Sequence, residues 1–458
     1  MSEVPFQLLV NCDYPQAKQE TLICTAVLRD VPAKRRVCLA SWNEREVIVK
    51  LFMHKIKARR HIKKEWQGAG LLEKRGFNTP SPLFYGKTEQ GQWVIALEKI
   101  EDSQTVLDAF NEMTNKSDKL DLLITLSREL AKQHIKGVFQ KDLHLGNFLL
   151  KGDQLFTLDP AEIRFSQSEI SKNKSLSQIA LLARNLPEDD KESIENLCHE
   201  YALARNWQLV QSDMVLLEKL LALQRKKDVK MGRKKCMRTS KRYLKVKTDG
   251  FIALFRKDFL KNSDPMDLIR QLDSLMDAGN ILKKGNTCYV SRINYNNTDV
   301  VVKRYNNKGL VHSLRHTLKR SRARRGWLHA HRLGGLGIIT PEPFAFIERY
   351  KAGLIWNSYI LTEYIHGQNL DYFLKNENIT KHQKAQLVQA VIEIVDKLGK
   401  YRLSHGDLKH TNILVTDNGP VLTDLDAMTA HKFNFMYNRR KAKDMQRLMS
   451  SDIRDLIA

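Results

Sequence analysis

Two short passages of the chain carry the same acidic and amide residues at the same spacing. Residues 141–150 read KDLHLGNFLL and residues 406–415 read GDLKHTNILV. In each, an Asp precedes an Asn by five positions (Asp142 and Asn147, Asp407 and Asn412), and a second Asp follows that Asn by twelve (Asp159, Asp424). A loop carboxylate can orient a hydroxyl and take its proton. An Asn oxygen and a second carboxylate are hard ligands suited to Mg²⁺. A cation for nucleotide phosphates completes the set, and each copy has one upstream: Lys50 in EVIVKLF (46–52) and Lys303 in DVVVKRY (299–305). The chemistry implied is phosphoryl transfer from ATP with Mg²⁺, which needs in-line positioning and charge cancellation more than covalent help.

The elements that must position these residues recur in the same order. EVIVKLF and DVVVKRY read as short strands rich in β-branched residues. EWQGAGLLEKRGFNTP (65–80) aligns without gaps to GWLHAHRLGGLGIITP (326–341), matching Trp66 to Trp327 and Thr79-Pro80 to Thr340-Pro341. After each Asp-Asn loop comes an apolar strand, a turn (KGDQL or TDNGP) whose Gly, Asn and Asp tolerate φ > 0, and a return strand. That hairpin brings Asp159 or Asp424 back beside its Asn. The order is strand with Lys, helix, strand near a Pro, helices, catalytic loop, metal Asp. It predicts one unit over residues 1–240 and a second over 241–458.

Smaller signals refine this. Lys409 lies two residues beyond Asp407, placed to neutralise a transferring phosphate; the corresponding His144 does so only when protonated. His405 reads as a structural loop histidine, because the other copy has Gln140 there. Trp66 and Trp327 read as core packing. The second unit has GNTCYVSR (285–292) before its lysine strand, where Gly285 lets backbone approach phosphate. The matching stretch of the first unit, 29–43, has no glycine.

The chain has 458 residues, 42% hydrophobic and 28% charged, with a net charge of +24. These values fit globular domains with sizeable cores and a surface that favours polyanions. Residues 225–247 hold twelve basic residues and one acid, a solvated face or a docking strip for an anionic surface. The strip lacks the interleaved aromatics of a single-strand platform, which argues against nucleic acid as partner. Six cysteines without CxxC spacing read as reduced thiols rather than a zinc or redox site. The N-terminus has no secretory-signal pattern, and no apolar run is long enough to span a bilayer.

HGDLKHTNIL with LTDLDAM, and SRARRGWLHAHRLGGLGIITPEPFAFIE (321–348), resemble segments of the lipopolysaccharide kinase family of the protein-kinase-like superfamily. That family includes the Kdo kinases and core heptose kinases of Gram-negative bacteria. KKEWQGAGLLEKRGFNTPSPLFYG in the first unit is similar to the corresponding heptose-kinase segment. The resemblance implies an α+β fold of two tandem bilobal kinase-like domains, each with a small β-rich lobe above a helical lobe and ATP between them. It implies a lipid-linked saccharide substrate at the cytoplasmic face of the inner membrane, with basic runs at 53–64, 315–325 and 439–447 meeting an anionic membrane surface. It also implies that a helix glutamate fixes the strand lysine. Glu65 fills that place in the first unit, whereas Gly326 stands there in the second. The missing pair and the glycine-free stretch of the first unit keep open an alternative in which one unit or both are catalytically silent modules that organise envelope assembly. A protein kinase also stays open through Lys409, although no Ala-Pro-Glu segment follows Asp424.

Overall fold

The computed structural model describes residues 4–31, 34–53, 55–306, 320–449, 453, 454 and 456. The expected basic run at 315–325 therefore lies outside the described residues over 315–319, and residues 32 and 33 of the glycine-free stretch do as well. The chain is α+β, as expected, and divides into residues 1–224 and 225–458. The order of the repeated elements predicts the join at 240/241. The difference lies in the helix Gln211–Lys235. Its residues Leu217 and Leu221 sit in the core of the first unit, whereas beyond 225 Val229 packs on a second-unit core and Cys236 accepts a hydrogen bond from Trp327 Nε1 (3.2 Å).

In the first unit six antiparallel strands close into a barrel. Their order is Phe6–Tyr14, Gln19–Val31, Arg35–Trp42, Arg45–Phe52, Trp93–Glu98 and Pro82–Thr88, the last pairing back onto the first. Strand alternation sorts the lysine strand into two faces. Val47, Val49 and Leu51 fill the barrel with Val10, Leu22 and Val94. Phe52, on the opposite face, packs with Ile48 against Ala58 and Ile62 of the helix Lys55–Lys74. Lys50 shares that second parity, so it looks toward the helix rather than into the barrel. The rest of the unit is helical, built on Lys116–Ile135, Lys172–Ala183 and Lys191–Ala204 around one apolar core.

The second unit has an open seven-stranded antiparallel sheet instead. Its order is Tyr243–Lys247, Phe251–Arg256, Pro343–Lys351, Leu354–Glu363, Thr298–Tyr305, Cys288–Tyr295 and Asn280–Lys284. One face is covered by the helix Pro265–Ala278 through Leu268, Leu272 and Met276. That helix starts with Asp264 accepting from Met266 N and with proline at its first position, where the missing N–H costs nothing. The helix Arg322–Gly334 covers the other face through Trp327, which is fully buried. Val300 and Val302 point into the first core, which sends Val301, Lys303 and Tyr305 to the opposite side. The helix Lys381–Lys400 follows a Thr380–Gln383 capping box. Among the described residues after Asp424 there is one long helix, Asn434–Leu448.

Candidate active sites

Both units bring their distant site residues together by the same local devices. Lys116–Ile135 and Lys381–Lys400, each of 20 residues, deliver the chain into a short strand and then the Asp-Asn loop. In that loop Asn147 Nδ2 donates to Asp142 O (2.7 Å), and Asn412 Nδ2 donates to Asp407 O (2.8 Å). The amide NH₂ is thereby used to tie the loop, leaving the Asn oxygen as the available ligand. The hairpins return as the turn chemistry required: Leu158 N donates to Asn147 O (2.8 Å) and Thr423 N to Asn412 O (2.9 Å). The next residues, Asp159 and Asp424, have left-handed backbones with φ of 49° and 56°. Asp tolerates that conformation better than most residues, and it turns the carboxylate back toward the Asn. The Thr-Pro pairs lock the arrangement: Thr79 Oγ1 donates to Thr157 O (2.8 Å), and Thr340 Oγ1 to Leu422 O (2.7 Å).

The lysines reach these carboxylates. Lys50 Nζ lies 2.5 Å from Asp159 Oδ1, and Lys303 Nζ lies 2.5 Å from Asp424 Oδ1. In the first unit Lys50 also pairs with Glu65, which is only 1% exposed. Burial pulls the Lys50 ammonium toward neutrality, but Glu65 and Asp159 outweigh it and raise its pKa. Burial likewise raises the Asp159 carboxyl, but Lys50 and Arg35 reverse this and hold it at about 2. Arg35 Nη2 stands 3.8 Å from Asp159 Oδ2. In the second unit Asp424 is lowered in the same sense: burial opposes, and Lys303 and Arg322 prevail.

The second unit fixes its helix differently. Gly326 offers no carboxylate, and a Cβ there would meet Ile360 Cδ1 at 3.0 Å. One turn earlier Arg322 donates from Nε to Asp426 Oδ2 (2.9 Å), two residues beyond the metal Asp. Its guanidinium also lies over the Tyr305 ring at 4.7 Å. The helix-to-strand salt bridge of the first unit is thus replaced by one of opposite polarity from helix to metal loop. Neither Arg322 nor Asp426 was singled out from the sequence. Their partnership spans 104 positions, which no local spacing reveals.

The two loop carboxylates are held unequally. Asp407 Oδ2 accepts from Asn412 Nδ2 (3.1 Å) and lies 3.1 Å from Lys409 Nζ, while Oδ1 is 3.7 Å from Arg447 Nη1. Asp142 has an exposed side chain that lies 3.9 Å from His144 Nε2. His405 hydrogen-bonds Thr423 O through Nε2 (2.9 Å), a structural role in agreement with expectation; burial lowers its pKa. Gly285 donates to Cys288 O (3.1 Å) in the turn before Cys288–Tyr295, where a Cβ would make ordinary contact.

A cavity of about 610 Å³ opens over Lys303, Asp424, Asn412 and Lys409. Val290, Val301 and Ile360 give it an apolar wall, and Glu363–Ile365 form one edge. An apolar slot ending in a cation, a carboxylate and an amide oxygen suits a nucleotide whose phosphates meet the charged end. Asn412 and Asp424 supply two oxygen donors to a divalent ion, with phosphate oxygens and water left to complete its shell. Among the described residues no group of three or more His, Cys, Asp and Glu side chains is placed to hold a metal alone.

Residues 276–456 match the model of the lipopolysaccharide kinase (Kdo/WaaP) family. Among solved structures the chain is similar to the PknI kinase domain of Mycobacterium tuberculosis, at 15% identity over 44% of this chain and 95% of that one, with a TM-score of 0.29. A second structure of that domain gives 14% identity over 45% and 94%, with a TM-score of 0.28. No curated protein matches the chain.

Proposed function

We propose that the chain is an ATP-dependent phosphotransferase that phosphorylates a sugar hydroxyl of the lipopolysaccharide inner core, with transfer carried by the second unit. The observation that carries this reading is the convergence of Lys303, Asp424 and Asn412 at one cavity, with Asp407 hydrogen-bonded to Asn412 beside it; the family match over 276–456 supports the acceptor class. Bound Mg²⁺ would bridge phosphate oxygens and offset their charge. Asn412 and Asp424 would hold it. Lys303, released from Asp424, would hold the phosphates. Asp407, steadied by Asn412 and Lys409, would orient the acceptor hydroxyl and take its proton, while Lys409 offsets charge on the group in transit.

In this reading both units are copies of one bilobal kinase-like fold, and the first is a silent copy. Its Lys50 is already held by two carboxylates, Glu65 and Asp159, and its loop carboxylate Asp142 lacks the support that Asp407 has. The lipid-linked acceptor places the molecule against an anionic membrane. No helix among the described residues is long and apolar enough to cross one. The helix Asn434–Leu448 supports peripheral contact: Phe433 and Phe435 are exposed at its start, followed by the basic run 439–447.

The test is transfer from γ-labelled ATP to purified inner-core oligosaccharide, with the phosphorylated position read by NMR. Label on the sugar, dependent on Asp424, is expected. Label on protein and never on sugar would remove the saccharide from the account.

A further inference from the structure

One face of the helix Arg322–Gly334 carries Arg322, Arg325, His329 and Arg332, spaced three, four and three residues apart. This spacing stacks them in a single row. Arg322 is paired with Asp426. Among the described residues Arg325 and Arg332 have no carboxylate partner, and neither has Arg233. Arg332 and His329 are each only 9% exposed. Buried nitrogens on all four residues (Arg325 Nε, His329 Nδ1, Arg332 Nη1 and Arg233 Nε) have no hydrogen-bond partner. The groups sense one another: burial and then Arg332, Arg233 and Arg325 push His329 down to about 3, and burial with Arg233 brings Arg332 down to about 10.

Buried cations without anions are costly, and proteins keep them where a counter-charge arrives. The row has an opening. A cavity of about 330 Å³ is lined by Arg325 and Arg440, by Arg322 with its partner Asp426, and by Ser404, Gly406, Ala427 and Thr429. Gly406 directly precedes Asp407, so this cavity adjoins the place where the acceptor hydroxyl must sit. With Arg322 offset by Asp426, the guanidiniums of Arg325 and Arg440 are left facing a small polar cavity, a geometry that binds phosphate or carboxylate. At the aligned positions in the first unit stand His61, Lys64, Gly68 and Leu71, so the inner half of the row is absent there.

We propose that this cavity is an oxyanion subsite for the acceptor. Arg325 and Arg440 bind an acidic group, phosphate or carboxylate, borne by the sugar chain beside the hydroxyl that is phosphorylated. The buried Arg332 and Arg233 supply positive potential and donors behind them, and His329, neutral there, supplies a ring nitrogen. The proposal rests on the saccharide-kinase reading and narrows its substrate to an acceptor that is already acidic.

The experiment measures KM for acceptor and for ATP in wild type, Arg325→Gln, Arg325→Lys and Arg440→Gln, using purified core oligosaccharide. The glutamine variants should raise the acceptor KM about tenfold or more, the worth of a charge-assisted hydrogen bond. The KM for ATP should stay within about twofold, and Arg325→Lys should recover part of the loss. With wild-type protein, phosphatase-treated and carboxyl-reduced acceptors form two further arms; the one that reproduces the rise identifies the group. Inorganic phosphate without nucleotide should raise the melting temperature of wild type and not of Arg325→Gln. An unchanged acceptor KM in both glutamine variants and both acceptor arms would overturn the subsite, and so would phosphate found covalently on Thr429. Wild type that labels no sugar at all would sink the function reading instead, with the phosphate melt still deciding the subsite.

Discussion

The two units carry the same Lys, Asp, Asn and Asp, yet set them in opposite electrostatic frames. In the first, the charges close on one another: Lys50 is held by Glu65 and Asp159, and Arg35 reinforces Asp159. In the second, Cys288 stands at the strand position of Arg35 and lines an open cavity, and Gly326 replaces Glu65. There the helix shows Arg322, Arg325 and Arg332 where the first unit shows His61, Lys64 and Leu71, and His329 where it shows Gly68. Gly68 lets the first helix press on the metal-loop turn, since a Cβ would come within 2.8 Å of Pro160 Cβ. The same residue types thus sit in different charge surroundings: in both units the lysine meets its aspartate, and only in the first does a helix carboxylate, Glu65, close on the lysine as well.

Breaking the inner closure of the first unit should give the largest change in stability. Glu65→Gln leaves Lys50 with one carboxylate in a buried setting and should destabilise that unit by about 3–5 kcal/mol. Chemical denaturation followed by hydrogen exchange should place the loss in residues 1–224. A loss below about 1 kcal/mol would show that the ion cluster is not what holds the first unit together.

Acid should sharpen the contrast from the other side. His134 in the first unit is held at about 4 by burial, and His329 and His331 in the second at about 3. Each stays neutral when folded but takes a proton near pH 6.5 when unfolded. Stability is therefore complete above that value and falls as the pH drops through it, by on the order of 2 kcal/mol per histidine at pH 5. The second unit, with more such histidines, should lose protection first in hydrogen exchange corrected for intrinsic rate. Equal losses in the two units would contradict the burial of that helix face. The smallest effect concerns the membrane. Phe435→Ser should weaken binding to vesicles containing anionic lipid several-fold, the worth of one aromatic at an interface. Flotation of the variant equal to wild type would remove that helix from the contact.

Much of the site was legible because its spacing is local. The Asp-Asn interval and the turn residues are confined to single loops, and the structure closes both hairpins as the turns required. The Thr-Pro matches were visible as a repeat, but the threonine hydroxyls that bind the return strand come from 78 and 82 residues away. Arg35, Arg322, Tyr305 and Asp426 escaped notice for the same reason. Alternation in the strands told which residues share a face, but not that Phe6–Tyr14 would close a barrel in one unit while the other stayed open. The unit boundary shifted because a basic helix end that reads as linker is bound by a tryptophan 91 residues onward.

The claim that transfer belongs to the second unit is tested most directly by Asp407→Asn beside Asp142→Asn in the labelled-ATP assay on core oligosaccharide. Asp407→Asn should lower turnover by about 100-fold or more, the worth of a positioned base, and Asp142→Asn by less than about twofold. Equal losses, or a loss confined to Asp142→Asn, would contradict it.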